Sequence, residues 1–124
     1  MLMERVPGIV FALVIGSARD GVVKPGSDLD LAVYMDEAPS LELCGAIEQT
    51  VLQAVEGDVR VDIGFLNRAE PVYRFEALKG RLLFTHDEER WLRFYSLTCR
   101  EYEQQMFRYK RQLAYRRERE KSCN

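Results

Sequence analysis

Three aspartates could do chemistry together in this chain: Asp28 and Asp30, two residues apart, and Asp62 farther along. Leu29-Asp30-Leu31-Ala32-Val33-Tyr34 has strand composition, and side chains two apart on a strand leave from one face, so Asp28 and Asp30 project together. Two carboxylates held this way repel each other unless a cation lies between them. Hard oxygen ligands of that kind suit Mg²⁺ bound together with substrate phosphates. The run Asp58 to Phe65 alternates in its first part, with Val59, Val61 and Ile63 on one face and Arg60 and Asp62 on the other. Beside the Asp28 strand it would bring three carboxylates together, enough to hold two metal ions about 3.5 to 4 Å apart for in-line phosphoryl chemistry. An EF-hand loop is excluded, because Ala32 stands at the next ligand position and no glycine follows it.

The elements that must position these acids can be read from hydrophobic patterning. Ile9 to Ile15 is an apolar run expected as a buried strand that feeds Gly16-Ser17. There the glycine allows close backbone approach and Ser17 caps a following short helix, an arrangement that favours an anion. A loop from Val22 to Ser27 leads to a strand from Leu29 to Met35. Ser40 is expected to cap a helix from Leu41 to about Val55, with Leu43, Ile47, Val51 and Val55 on one stripe and Gly57-Asp58 ending it. A strand from Val59 to Phe65, a helix from about Glu70 to Leu78 stopped by Gly80, and a short strand from Arg81 to Phe84 complete the body. The alternation predicts an α+β fold, a mixed sheet backed by helices.

Thr85 or Asp87 caps the last expected element, a charged helix from about Glu88 to Glu118. Trp91, Tyr95, Thr98, Tyr102, Met106, Tyr109 and Leu113 recur at steps of three or four and form one stripe. Roughly 30 helical residues extend about 45 Å, whereas a domain of this size is about 35 Å across. Residues 1–86 are therefore expected as the body and 87–124 as a helix of the same domain that overhangs it. Its distal stripe of Met106, Tyr109, Leu113 and Tyr115 becomes a candidate partner surface, or a self-association surface that would give a homo-oligomer.

Composition narrows the classes further. A chain of 124 residues makes one domain, without room for a separate acceptor-binding domain, so the acceptor is expected to arrive on a folded partner. Three unevenly spaced cysteines, Cys44, Cys99 and Cys123, fit neither a disulfide framework nor a zinc cluster, which points to a reducing cytoplasm. No segment reaches the roughly 20 apolar residues that span a membrane. The run after Arg5 is short for a signal peptide, and cleavage there would remove the Gly-Ser turn. His86, the only histidine, reads as a surface loop residue, and Arg68 and Arg74 as partners of neighbouring acids. Residues 1–86 carry eight bases and thirteen acids, and 87–124 ten bases and seven acids. The basic, tyrosine-rich tail invites a nucleic-acid partner, but its interleaved acids argue against direct binding.

The run GSARDGVVKPGSDLDLAVYM, the later VDIGFLNRAEPVYRFEALKGRLLF and the small size resemble a minimal nucleotidyltransferase, the MNT branch of the polymerase-beta-like superfamily. The resemblance covers roughly Ile9 to Phe84, and its most specific part is the spacing from Gly16-Ser17 to Ser27 and Asp28-Leu29-Asp30, completed by Asp62. It implies the polymerase-beta-like fold. It also implies that Gly16 and Ser17 hold the phosphates of ATP, with Arg19 and Ser27 in the same nucleotide site. Asp28 and Asp30 would ligate both of two Mg²⁺ ions. Asp62 would ligate the catalytic ion and orient the attacking hydroxyl or assist its deprotonation. Two features depart from the pattern: Asp20 stands before Gly21 where relatives often carry Arg or Lys, and the segment before the first strand is short. By resemblance the chain is an antitoxin that transfers AMP from ATP to a tyrosine of a HEPN ribonuclease toxin. The alternatives are an antitoxin that neutralises its partner by contact alone, and a nucleotidyltransferase acting on a small molecule such as an antibiotic.

Overall fold

The computed structural model describes residues 2–16, 28–54 and 60–122. The expected short helix after Ser17, the loop to Ser27, and the positions Val55, Gly57, Asp58 and Val59 lie outside the described residues, as does the side chain of Asp28.

Strand β1 (Ile9–Ile15) follows a 3₁₀ turn at Leu2–Arg5, and strand β2 spans Asp28–Met35. Helix α1 (Leu41–Ala54) opens where expected, the backbone N–H of Leu43 donating to Ser40 Oγ at 3.2 Å. Strand β3 (Arg60–Phe65) passes through a 3₁₀ turn, Leu66–Arg68, into helix α2 (Pro71–Leu78). Strand β4 (Arg81–Thr85) precedes helix α3 (Glu88–Ser122), whose first turn is capped by Asp87 accepting from the Arg90 N–H at 3.1 Å.

The sheet order is β3-β2-β1-β4, with β1 antiparallel to β2 and β4, and β2 parallel to β3. Central β1 is covered on both faces, which explains its unbroken apolar run. On one face Leu29, Leu31, Val33 and Met35 pack against Ile47 and Val51 of α1. On the other, Phe11, Leu13 and Ala32 pack against Ala77 of α2 and Phe94 of α3. Asp30 shares this second face with Ala32 and Tyr34, since side chains two apart on a strand leave from the same side.

Helix α3 docks through a slightly rotated stripe compared with the expected one. Phe94 is buried against Phe11, with ring centroids 5.1 Å apart, whereas Tyr95 is exposed. Thr98 is fully buried and Tyr102 stacks on Phe75 at 3.8 Å. From Glu103 onward every residue with a described side chain is exposed except Met106 and Leu113, which are half-covered. The helix reaches Ser122 rather than ending near Glu118, and its 35 residues correspond to about 52 Å.

Two polar side chains tie the end of β3 to the sheet. Past Phe65 the strand becomes a 3₁₀ turn, yet Asn67 continues the parallel register with its side chain. Its Nδ2 donates to Met35 O at 2.7 Å, and its Oδ1 accepts from Met35 N at 2.9 Å. Arg74 is not paired with an acid; it donates to the carbonyls of Leu66 and Asn67 at 2.9 and 2.6 Å and lies over the Phe94 ring. Asn67→Ala leaves both Met35 groups without these partners and is expected to cost about 1–3 kcal/mol, read from the urea midpoint at unchanged m-value.

Candidate active site

Parallel pairing of β2 with β3 sets Asp28 opposite Arg60 and Asp30 opposite Asp62. Neighbouring strands lie about 4.8 Å apart, so the Asp30 and Asp62 side chains leave the same face side by side. Val61 and Ile63 turn to the α1 face, and Asp62 is exposed on the other. Sequence alternation thus gives the correct face for Asp62, and the parallel register supplies the adjacency. Backbone geometry places Asp28 on the same face one step toward the start of β2.

Gly16 closes the site from the side of β1. It has φ +75°, a conformation that favours glycine, and a Cβ there would come within 3.1 Å of Asp30 Oδ2. The backbone therefore lies against the carboxylate, so closely that a side chain here would make Asp30 shift by a few tenths of an ångström. Of the expected nucleotide-site residues, Gly16 is the one within the described residues; Ser17, Arg19 and Ser27 lie outside them.

Tyr73 of α2 is a part of this site that sequence reasoning missed. Its hydroxyl rests over Gly64 so closely that a Cβ at that glycine would collide with it. Gly64 follows Asp62 by two residues on the same face and pairs with Ala32. Burial, reinforced by the negative charge of Asp30, pushes the Tyr73 hydroxyl above its ordinary pKa. It stays neutral at physiological pH, within electrostatic reach of Asp30. A glycine on the otherwise polar face of β3 was the available signal, since it leaves room for a side chain from a covering helix.

Among the described side chains, Asp30 and Asp62 offer carboxylate oxygens from adjacent strands, hard donors of the kind that suit Mg²⁺. His86 is not part of the site; its Nε2 lies 2.8 Å from the Glu4 carbonyl.

Residues 1–89 match the family described as Polymerase beta, Nucleotidyltransferase. No curated protein matches the chain. Among solved structures, a chain of a toxin-antitoxin crystal structure with AMP-PNP is 23% identical, with a TM-score of 0.68, over 91% of this chain and 88% of that one. A chain of the toxin-antitoxin MntA-HepT is 21% identical, with a TM-score of 0.63, over 91% and 86%. A chain of the complex of a tri-AMPylated Shewanella oneidensis HEPN toxin with MNT antitoxin is 20% identical, with a TM-score of 0.62, over 90% and 83%. At these identities the likeness is one of fold.

Proposed function

We infer the function of this chain from its membership: it belongs to the polymerase beta nucleotidyltransferase family, and we propose that it transfers AMP from ATP to a tyrosine hydroxyl of a HEPN-domain toxin, acting as that toxin's antitoxin. The observation that carries the reading is the in-register pair Asp30 and Asp62 on the face where Gly16 approaches Asp30. Solved relatives of the same fold include a complex with a tri-AMPylated HEPN toxin and one with AMP-PNP, which supports both the nucleotide and the acceptor class.

In the proposed reaction the acceptor oxygen bonds to the α-phosphorus as the bond to the β-phosphate oxygen breaks, and pyrophosphate leaves with the electron pair. Asp28, Asp30 and Asp62 would hold two Mg²⁺ ions, which when bound offset the phosphate charge and make the acceptor hydroxyl easier to ionise. Asp62, on the outer of the two strands, orients the incoming hydroxyl and accepts its proton. Gly16 and Ser17 steer the phosphates, with Arg19 and Ser27 in the same nucleotide site. The exposed distal part of α3 fits docking of a folded partner that brings its own acceptor. Such a reaction belongs in the cytoplasm, where ATP and Mg²⁺ are available; no helix among the described residues is long and apolar enough to cross a membrane.

Incubation with α-labelled ATP, Mg²⁺ and a HEPN-domain protein tests the reading. Label is expected on a partner tyrosine, and none when Asp28→Asn and Asp30→Asn are combined. Neutralisation of the toxin by that double variant without any label would replace catalysis with inhibition by contact.

A further inference from the structure

We propose that Tyr73 selects the acceptor: its ring, held over Gly64 at the edge of the sheet, is the surface against which an incoming phenol lies, so that the site takes an aromatic hydroxyl in preference to an aliphatic one. This rests on the nucleotidyl transfer proposed above and adds which side chain chooses the acceptor class. The strands lay the site out in order. Gly16, at the end of β1, lies against Asp30 of β2, Asp30 stands opposite Asp62 of β3, and β3 is an edge strand. In the proposed reaction the nucleotide phosphates take the β1 side. The acceptor then enters across β3, the side on which Asp62 stands.

Tyr73 is the aromatic residue on that side. Tyr73 and Ala77 are four residues apart on α2 and share its inward face. Ala77 is fully buried, whereas Tyr73 is 36% exposed, so the ring is aimed at the sheet where the cover of α2 gives out. Both ends of the arrangement are fixed. The neighbouring Arg74 pins the start of the helix by donating to the Leu66 and Asn67 carbonyls at 2.9 and 2.6 Å, and the missing Cβ of Gly64 makes room for the Tyr73 hydroxyl. A ring already held in place loses little further freedom when a ligand packs on it.

Spacing and chemistry favour a phenol as the occupant. Residues two apart on a strand are separated by about 6.6 Å, which is the distance from Asp62 to the Gly64 position that carries the Tyr73 hydroxyl. Two phenols entering side by side, one with its oxygen at Asp62 and the other with its oxygen on Gly64, have ring centres within the roughly 4.5–7 Å over which aromatic pairs attract. A serine or threonine brings no ring to meet Tyr73. Its short side chain would also have to draw the partner's backbone into the space beside the ring.

Transfer of labelled AMP from ATP to a HEPN-domain protein, measured with the full chain over ranges of partner and of ATP, tests the assignment. Tyr73→Leu is expected to lower kcat/KM for the partner by about 2- to 13-fold, the worth of one aromatic pair, with the KM for ATP unchanged. Tyr73→Phe keeps the ring and should restore the parent value to within about twofold. Gly64→Ala, which displaces the hydroxyl while leaving Tyr73 in the chain, should reproduce the loss; thermal melts verify that each variant is folded. With a parent that labels its partner, the proposal is overturned by an unchanged kcat/KM in Tyr73→Leu or in folded Gly64→Ala, by Tyr73→Phe as slow as Tyr73→Leu, by a raised KM for ATP in Tyr73→Leu, or by label on Tyr73 itself. A parent that labels no partner is a different failure: it removes the transfer reading, and the acceptor role of Tyr73 with it.

Discussion

Asp62→Asn is expected to lower AMP transfer by about 10²–10³-fold while leaving the folded protein as stable as before, or slightly more so. The two halves of this expectation come from one geometric fact. Asp30 and Asp62 stand at the same register of adjacent parallel strands, so two like charges share one face. Like charges directly opposite each other destabilise a sheet, by a few tenths to about 1 kcal/mol, unless a cation joins them. Removing one charge relieves that repulsion but, in the proposed reaction, also removes a metal ligand and the group that takes the acceptor's proton. Thermal unfolding without metal should therefore give Asp62→Asn a midpoint equal to or above that of the parent. Adding Mg²⁺ with a non-hydrolysable ATP analogue should raise the parent midpoint, because a ligand bound only by the folded state stabilises it, and should barely move the variant. A variant that unfolds early in both conditions would show Asp62 to be structural. One that transfers AMP at the parent rate would remove it from the site.

The same pair shows how far residue order reaches. Strand β1 is legible because seven apolar residues in a row end at Gly16, and the helix start at Ser40 because a short hydroxyl side chain precedes an apolar stripe. The face of Asp62 is legible from alternation. Its neighbour is not, since strand order and register depend on which distant segments pair, and the same alternation serves any partner. Helix α3 illustrates a second limit. Phe94 and Tyr95 are adjacent aromatics, both compatible with a helical stripe, and the packing of Phe11 and Tyr34 decides that Phe94 goes inward. Asn67 and Tyr73 escape pattern reading altogether. One extends a strand with its side chain, and the other fills a space that a glycine on another element leaves.

Phe11 is where sheet and tail meet, and Phe11→Ala is expected to cost about 3–5 kcal/mol, a large share of the roughly 5–15 kcal/mol that holds a domain of this kind. The ring is fully buried on β1. It stacks on Tyr34 with centroids 4.9 Å apart, meets Trp91 edge-on at 4.9 Å and leans on Phe94 at 5.1 Å. Trp91 and Phe94 are the first inward side chains of α3, so the cavity opens at the hinge between helix and sheet. The cluster cannot close over it easily, because β1 is fixed on both sides by β2 and β4. Chemical denaturation should show the midpoint falling at unchanged m-value if the whole domain unfolds as one unit. A lower m-value would instead mean that α3 detaches first, leaving the sheet and α1 folded. Phe107→Ala is the matched control: the ring is 67% exposed on the overhang, so its loss should change stability by no more than about 0.5 kcal/mol. If both substitutions cost the same, the long helix does not depend on the Phe11 cluster, and the overhang would have to be held by contacts farther along. A large cost at Phe11 with none at Phe107 places the anchoring of α3 before Phe107, in the stretch that ends with Tyr102 on Phe75, and leaves the remainder free to meet another molecule.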